Sequence, residues 1–263
     1  MTFQLKDNAA EMYERVLVPL WFGRWAEELV RASGIEAGET VLDVACGTGV
    51  TTRMAHARVG PTGRVDGLDI NAAMLRKAGE LAEDLDIRWI EGDVTETGLP
   101  DGSYDAVISQ HGYHYFPDKP AALREFRRLL KPNGRLIFSI WDGPSAYTGA
   151  VCAAVERHIS EKVAAQQRAQ RETPSAESLR DEVEAAGFGA VEVRRCELTM
   201  DVPAAEDFVP LHLASMPIAA AFGALAPTAR TALIRDVAMA MRPYAEGDRM
   251  RYPDAVHMVI GRV

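Results

Sequence analysis

The chain predicts an α/β fold: a doubly wound, mostly parallel sheet with helices on both faces. Three observations carry that expectation. Five short apolar stretches recur through the first half, helix-period segments alternate with them, and a glycine-rich turn follows the first. Strands rich in Val and Ile that are apolar on both faces are strands covered on both sides. Regular alternation of strand and helix builds βαβ units with right-handed crossovers.

Taken in order, AEMYERVLVPLWFGRWAEELVRASGI comes first, with apolar residues at 13, 16, 17, 20, 21, 25 and 29. That spacing is helical, and Pro19 kinks or splits the helix. Tyr13, Trp21 and Trp25 read as packing residues. The five strands are TVLDVA (40–45), RVDGLDI (64–70), IRWIEGDV (87–94), YDAVISQ (104–110) and GRLIFSIWD (134–142). Between them lie the helical patterns TTRMAHARV, NAAMLRKAGELAEDL and KPAALREFRRLLK. Asn71 caps the second, and Pro132-Asn133-Gly134 stops the third. After Asp142 the rhythm changes. Residues 145–186 read as helices broken at Thr173-Pro174-Ser175, where Ser175 caps the next. Strands follow at VEVRRCELTMDV (191–202) and DAVHMVIGRV (254–263), on either side of an Ala- and Met-rich helical stretch, 203–247. Pro210, Pro217, Pro227 and Pro243 punctuate that stretch. Two late strands separated by helices complete the sheet in antiparallel fashion. With no repeat and no low-complexity linker, residues 1–263 read as one domain.

Bulk composition narrows the function. The chain is 48% hydrophobic and 25% charged, as ordinary soluble globular proteins are. A formal net charge of −9 argues against a nucleic-acid partner, whose backbone selects basic surfaces. Cys46, Cys152 and Cys196 form neither a CxxC pair nor a disulfide framework, which points to a reducing compartment. MTFQLKDNAAEMYE lacks the apolar run of a signal peptide, and no stretch has the length to span a bilayer. The expectation is a cytoplasmic protein with no membrane partner, monomeric or homodimeric.

The turn after the first strand is VLDVACGTGV (41–50). Two glycines two apart, between a buried strand and a helix, permit a tight turn and close approach of a ligand. Asp69 closes the second strand twenty residues after Gly49, where a carboxylate accepts hydrogen bonds from both hydroxyls of a ribose. Together they describe a site for an adenosine-containing cofactor. A dinucleotide fingerprint would place a third glycine at position 52, where this chain has Thr52. It has instead Asp43 four positions before Gly47, the pattern D-x-x-x-G-x-G. A sulfonium-bearing zwitterion without phosphates has less need of a helix N-terminus cradling a pyrophosphate.

Read together, VLDVACGTG, GLDINAAML, EGDVTETGLP, YDAVISQHGYHYFPD and LKPNGRLIFSIWD resemble, in order and spacing, the motifs of class I S-adenosylmethionine-dependent methyltransferases. The group they resemble most is the one related to the ubiquinone/menaquinone-biosynthesis C-methyltransferases. The likeness covers residues 10–142 well and the rest in outline. It implies a Rossmann-like doubly wound, mostly parallel seven-stranded sheet with the last strand antiparallel, plus helical lid insertions. Residues 1–35 would cover the cofactor site, 36–142 would form the cofactor-binding core, and 143–186 and 203–247 would form the lid and substrate regions. S-adenosyl-L-methionine would be the cofactor. The backbone of Ala45, Gly47 and Gly49 would line its methionine and ribose portion, and Asp69 would hold the ribose. Ile70 and Met74 would flank the adenine, Asp93 would receive its amino group, and Val94 would offer a neighbouring amide. For Asp93 the alternative is a capped turn before Thr95. Gln110 would sit near the methionine part, and Asp43 would order the turn or reach the cofactor's ammonium through water.

In the family's topology the first and fourth strands are neighbours, so Ile108 to Asp118 would face the glycine turn. Three readings compete for ISQHGYHYFPD. Metal would use His111, His114 and Asp118, but no further cluster completes a ligand set. An imidazole titrates near neutrality, so His111, or else His114, can take a proton from a hydroxyl or amine. Tyr113, Tyr115 and Phe116 can also be simple pocket wall. Substrate contacts are expected from Tyr113, Trp141, Tyr147 and the segment around Met216. The Asn-Pro-Pro-Tyr signature of nucleobase and glutamine methylation is replaced here by Ser-Gln-His-Gly, favouring a small-molecule acceptor. The expected reaction is in-line methyl transfer to oxygen or nitrogen rather than carbon. An NAD(P)-dependent oxidoreductase and a non-catalytic cofactor-binding protein are the alternatives.

Overall fold

A computed structural model describes residues 11–263. The first ten residues of the expected N-terminal cover lie outside the described residues. Five parallel strands form the centre: β1 (Thr40–Val44), β2 (Arg64–Asp69), β3 (Ile87–Glu91), β4 (Tyr104–Gln110) and β5 (Leu130–Trp141). β6 (Gly189–Pro203) and β8 (Arg249–Arg262) complete the path, and the two-residue β7 (Ala245–Glu246) pairs with β8. The order is β3-β2-β1-β4-β5-β8-β6, with β8 antiparallel to both neighbours. The strand order therefore reverses between β1 and β4, and ligands of open α/β sheets bind outside the carboxyl ends at such a point.

Side-chain alternation along the strands explains the two covered faces. Leu42, Val44, Val107, Leu136 and Phe138 pack with Leu123, Phe126, Leu179 and Val183, from helices Lys119–Leu129 and Ala176–Ala185. Val41, Val65, Ala106, Ile108 and Ile137 point the other way, against Leu29, Ala55 and Val59 of helices Gly23–Ser33 and Val50–Val59. Period-two alternation with apolar residues in both phases requires this double cover.

Three expectations need correction. β5 begins at Leu130, not at Gly134: Pro132-Asn133-Gly134 makes an irregularity within the strand, with Asn133 at φ +65°. Asn tolerates that left-handed conformation, so the chain rejoins the sheet instead of leaving it. β8 starts at Arg249, five residues before the expected start, because it pairs with β6 along its whole length. The N-terminal segment does not break at Pro19. It widens into a π-helix, Tyr13–Phe22, that contains Pro19, and Gly23 N–H bonds back to Val18 O before the α-helix Gly23–Ser33 follows.

Helices Ala146–His158, Glu161–Ala169 and Ala176–Ala185 follow β5, each capped by a serine: Ser145, Ser160 and Ser175. Helices Ala205–Ala214, Ala219–Gly223 and Pro227–Met241 lie between β6 and β8. Apart from Ala176–Ala185, these helices pack with Leu17, Trp21 and Trp25 of the N-terminal segment and with Trp141, Met200 and Val256 of the sheet in a third apolar cluster. No helix among the described residues is long and apolar enough to cross a membrane.

Candidate active site

β1 and β4 both leave the sheet in the left-handed region, Ala45 at φ +54° and His111 at φ +54°. Such residues cost about 1–3 kcal/mol each and persist where the surroundings over-determine them. Here the two bends press on one another. Gly112 permits it, since a Cβ there would lie 2.6 Å from Ala45 Cβ and 2.7 Å from Ser109 Oγ. Gly47 (φ +57°) and Gly49 (φ +79°) complete the turn after β1.

Asp69, at the end of β2, ties that turn down. Its Oδ2 accepts from Gly47 N–H at 2.8 Å and its Oδ1 from Asn71 N–H at 2.8 Å. Asn71 in turn caps helix Ala72–Leu81, accepting from the amides of Ala73 and Met74. Burial pushes the Asp69 carboxyl above its ordinary range, against the pull of these amide donors. Asp43 is fully buried in β1, and its Oδ2 accepts from Thr52 Oγ1 at 2.6 Å. Its Oδ1 has no partner, and burial raises its pKa from 3.8 to about 7. Thr52 therefore serves Asp43 at the place where a dinucleotide fingerprint needs glycine. Gln110 spans two elements, its Oε1 accepting from Thr51 Oγ1 at 2.6 Å and its Nε2 donating to Phe22 O at 2.7 Å.

A cavity of about 380 Å³ opens at this junction. Asp43, Ala45, Gly47, Asp69, Ile70, Met74, Asp93, Val94 and Gln110 line it, together with His111, His114 and Trp141. Gly49 is not on its wall. It lies beneath the Trp89 ring, which a Cβ would strike, so its role is packing of the turn. Asp93 borders the cavity and also caps the following turn, its Oδ1 accepting from Thr95 N–H at 2.8 Å and Thr95 Oγ1 at 2.7 Å.

The catalytic candidates meet at the cavity without forming a ligand set. Among the described residues no group of three His, Cys, Asp or Glu side chains could hold a metal ion. His111 is 6% exposed, and burial holds its pKa well below the usual imidazole value. Burial also lowers His114, to about 3. Neither ring has a hydrogen-bond partner on either nitrogen, so both are uncharged at neutral pH with their nitrogens unsatisfied.

Two expected substrate contacts do not reach the cavity. Tyr113 is fully buried against Phe138 and donates to Glu182 Oε2 at 2.5 Å. Tyr147 is fully buried, with its hydroxyl 2.9 Å from His212 Nδ1. Each faces the core because its position on the helical turn or helix points away from the junction. Met216 does line the cavity, and so do Tyr13 and Trp21, which the sequence assigned to packing; Trp25 is fully buried.

Several lining residues escaped sequence reasoning. His212, whose pKa burial lowers to about 3, and Arg171 come from the insertions, where no motif marks them. Phe22 comes from the π-helix, which is latched to the glycine turn by Glu14. Glu14 Oε2 accepts from Thr48 Oγ1 at 2.5 Å, and Oε1 from Arg53 Nη2 at 2.6 Å.

Comparison with known proteins places this geometry. Residues 41–134 match the family described as a methyltransferase domain. A 2-phytyl-1,4-naphtoquinone methyltransferase from Nostoc sp. is 32% identical over 136 residues, 49% of this chain and 59% of that protein. A demethylmenaquinone methyltransferase from Staphylococcus aureus is 33% identical over 135 residues, 50% of this chain and 56% of that protein. The chain thus spans less than two thirds of the length of either relative. Among solved structures, a Haemonchus contortus phosphoethanolamine N-methyltransferase 2, in complex with phosphomonomethylethanolamine and S-adenosylhomocysteine, superposes with TM-score 0.64 at 17% identity. The match covers 98% of this chain and 57% of that one. The YcgJ protein of Bacillus subtilis gives TM-score 0.60 at 16% identity, covering 91% and 98%. Residues 41–134 thus match a methyltransferase domain, about half of the chain is similar in sequence to quinone methyltransferases, and the Rossmann-like sheet is shared with the solved structures.

Proposed function

We propose that the chain is an S-adenosylmethionine-dependent methyltransferase acting on a small-molecule acceptor. The observation that carries this reading is the continuity of one cavity from the Asp69-tied glycine turn to the His111–Trp141 junction.

The residues present fit the cofactor. Each Asp69 oxygen holds one backbone amide and retains lone-pair capacity for a ribose hydroxyl. A Cβ on Gly47 would find nothing within 4 Å, so the backbone there is open to close approach by a ligand. The unpartnered Asp43 Oδ1 suits a nearby cationic group. Ile70 and Met74 offer apolar flanks for the adenine, and Asp93 with Val94 its polar edge. Thr52 leaves no room for a dinucleotide fingerprint, which weighs against NAD(P). Bound S-adenosylmethionine supplies an already activated methyl group. The chain's share is to hold the acceptor in line, to exclude water beneath the insertions, and to receive a proton at His111.

The names of the quinone methyltransferases support a quinone-type acceptor, and the aromatic lining contributed by Tyr13, Trp21 and Phe22 suits a planar one. An uncharged imidazole at the junction can take the proton that is lost when an O–H or N–H acceptor is methylated, and equally the one lost when a quinol ring carbon exchanges C–H for C–CH3. Thermal-shift and calorimetric titration with S-adenosylmethionine, S-adenosylhomocysteine and NAD test the reading. The first two stabilise the protein and NAD does not; stabilisation by NAD alone would overturn it. Asp69→Ala lowers cofactor affinity by about tenfold or more through the lost carboxylate bonds. His111→Ala spares that affinity but reduces turnover, read as methylated product by mass spectrometry across a panel of quinols, phenols and amines.

A further inference from the structure

A histidine poised for proton transfer ordinarily has one ring nitrogen fixed by a carboxylate or carbonyl, which sets its tautomer and orientation. Neither nitrogen of His111 has a partner, although the residue is almost wholly buried at the cavity wall. Aromatic contacts hold it instead. Trp141 stacks on the imidazole with ring centroids 3.8 Å apart and planes within 10°. Phe22 and Trp25 meet it edge-on.

Trp141 is itself clamped from the insertion. The Arg171 guanidinium carbon lies 3.7 Å from the centroid of its ring, and Thr173 Oγ1 donates to its carbonyl at 2.6 Å. Arg171 is anchored in turn on β8. Its Nη1 and Nη2 reach the two oxygens of Asp254 at 2.8 and 3.1 Å, and Nη1 also reaches Gly143 O at 3.3 Å. Trp21 Nε1 completes the shell of Asp254 at 3.3 Å. A buried ion pair is rarely worth more to stability than apolar residues of the same volume. Its place, directly behind the ring that carries His111, gives it another use.

We propose that Arg171 is a positioning residue for His111, acting through Trp141: the Asp254–Arg171–Trp141 stack sets the plane of the imidazole at the cavity wall. This rests on the reading of His111 as the proton acceptor in methyl transfer. Because Arg171 belongs to the insertion while Trp141 ends β5 and Asp254 lies on β8, seating of the insertion and orientation of the base are one event.

The test compares the wild type with Arg171→Met/Asp254→Asn, which removes the ion pair as a unit and leaves no uncompensated charge in the core. Stability and S-adenosylhomocysteine affinity are expected to stay near wild type. The His111 ring resonances, assigned by their absence in His111→Gln, lose the displacement that the stacked Trp141 ring imposes. With an acceptor in hand, kcat falls by about a hundredfold while KM changes little. Arg171→Lys, which restores a cation but not a flat one, recovers only part of both signals. Ring resonances unmoved in the double variant overturn the proposal, and so does an unchanged kcat. Failure of the wild type to bind S-adenosylhomocysteine would instead remove the methyltransferase reading, while the ring resonances would still decide the stack.

Discussion

Asp43 shows how one residue's environment sets a property of the whole chain. Its neighbours in β1 are apolar, Thr52 is its hydrogen-bond donor, and desolvation raises its pKa from 3.8 to about 7. Between those two values the folded chain binds a proton at Asp43 that the unfolded chain has released. The stability contribution is therefore fully present below 3.8 and lost as pH rises through about 7. The loss is up to about 1.4 kcal/mol per pH unit. Asp43→Asn keeps an acceptor for Thr52 and abolishes the titration. Urea denaturation at about pH 5 and about pH 8 should show the wild type losing stability relative to the variant. Parallel pH dependence in the two proteins would contradict the assignment. Asp43 was visible in the sequence as part of D-x-x-x-G-x-G, but its proton was not. Burial of one carboxylate oxygen without a partner depends on how helix Val50–Val59 packs over the strand.

At the scale of elements, the π-helix Tyr13–Phe22 buries Val16, Leu17 and Trp21 in the third apolar cluster and is tied to the glycine turn by polar side chains. Glu14 joins Thr48 and Arg53, and Gln110 joins Phe22 O. π-Helical turns are rare and are found mostly at functional sites. Glu14→Ala removes the acceptor of the Thr48 hydroxyl and of Arg53 Nη2, leaving Arg53 only Thr48 O through Nη1, at a cost of about 1.5–3 kcal/mol. Hydrogen exchange should then quicken across residues 13–22 while the protection of β1 and β4 is kept, and cofactor affinity should weaken about tenfold. Unchanged exchange in that segment would rule out the latch. Much of the secondary structure was legible because period-two and period-3.6 patterns are local. β4 was read to the residue, and Asn71 and Ser175 cap the helices they were expected to cap. The glycine turn and Asp69 were legible for the same reason, as short motifs with a geometric purpose. Contacts made only by tertiary packing were not. Nothing in the spacing of Glu14 announces that it meets Thr48 and Arg53, or in that of Arg171 that it meets Asp254, and the inward or outward phase of Tyr113 and Tyr147 depends on where their helices dock.

For the whole molecule, the distribution of apolar clusters decides whether the insertions are a separable lid. Two clusters lie on the faces of the central sheet, and the third joins the N-terminal segment, the insertions and the ends of β5, β6 and β8. That third cluster has no sheet of its own. Leu17, Trp21 and Trp25 reach it from the N-terminal side, and Val256 of β8 belongs to it while Met258 and Val259 of the same strand belong to the other two. A strand shared among three cores transmits the loss of one to the others, so the chain should unfold as a single cooperative unit. The four tryptophans make this measurable. Trp21, Trp25 and Trp141 sit in the third cluster, and Trp89 lies in β3 behind the glycine turn. Tryptophan fluorescence therefore reports chiefly on the insertions, and far-ultraviolet circular dichroism on the whole chain. The two denaturation curves should coincide, and both midpoints should rise together on adding S-adenosylhomocysteine. Saturation to about a hundred times Kd adds about 2.7 kcal/mol to the folded state. A fluorescence transition preceding the dichroism transition would show that the insertions melt alone over a surviving sheet. Coupling of the insertion to His111 through Arg171 would then have to arise on closure, not in the resting fold.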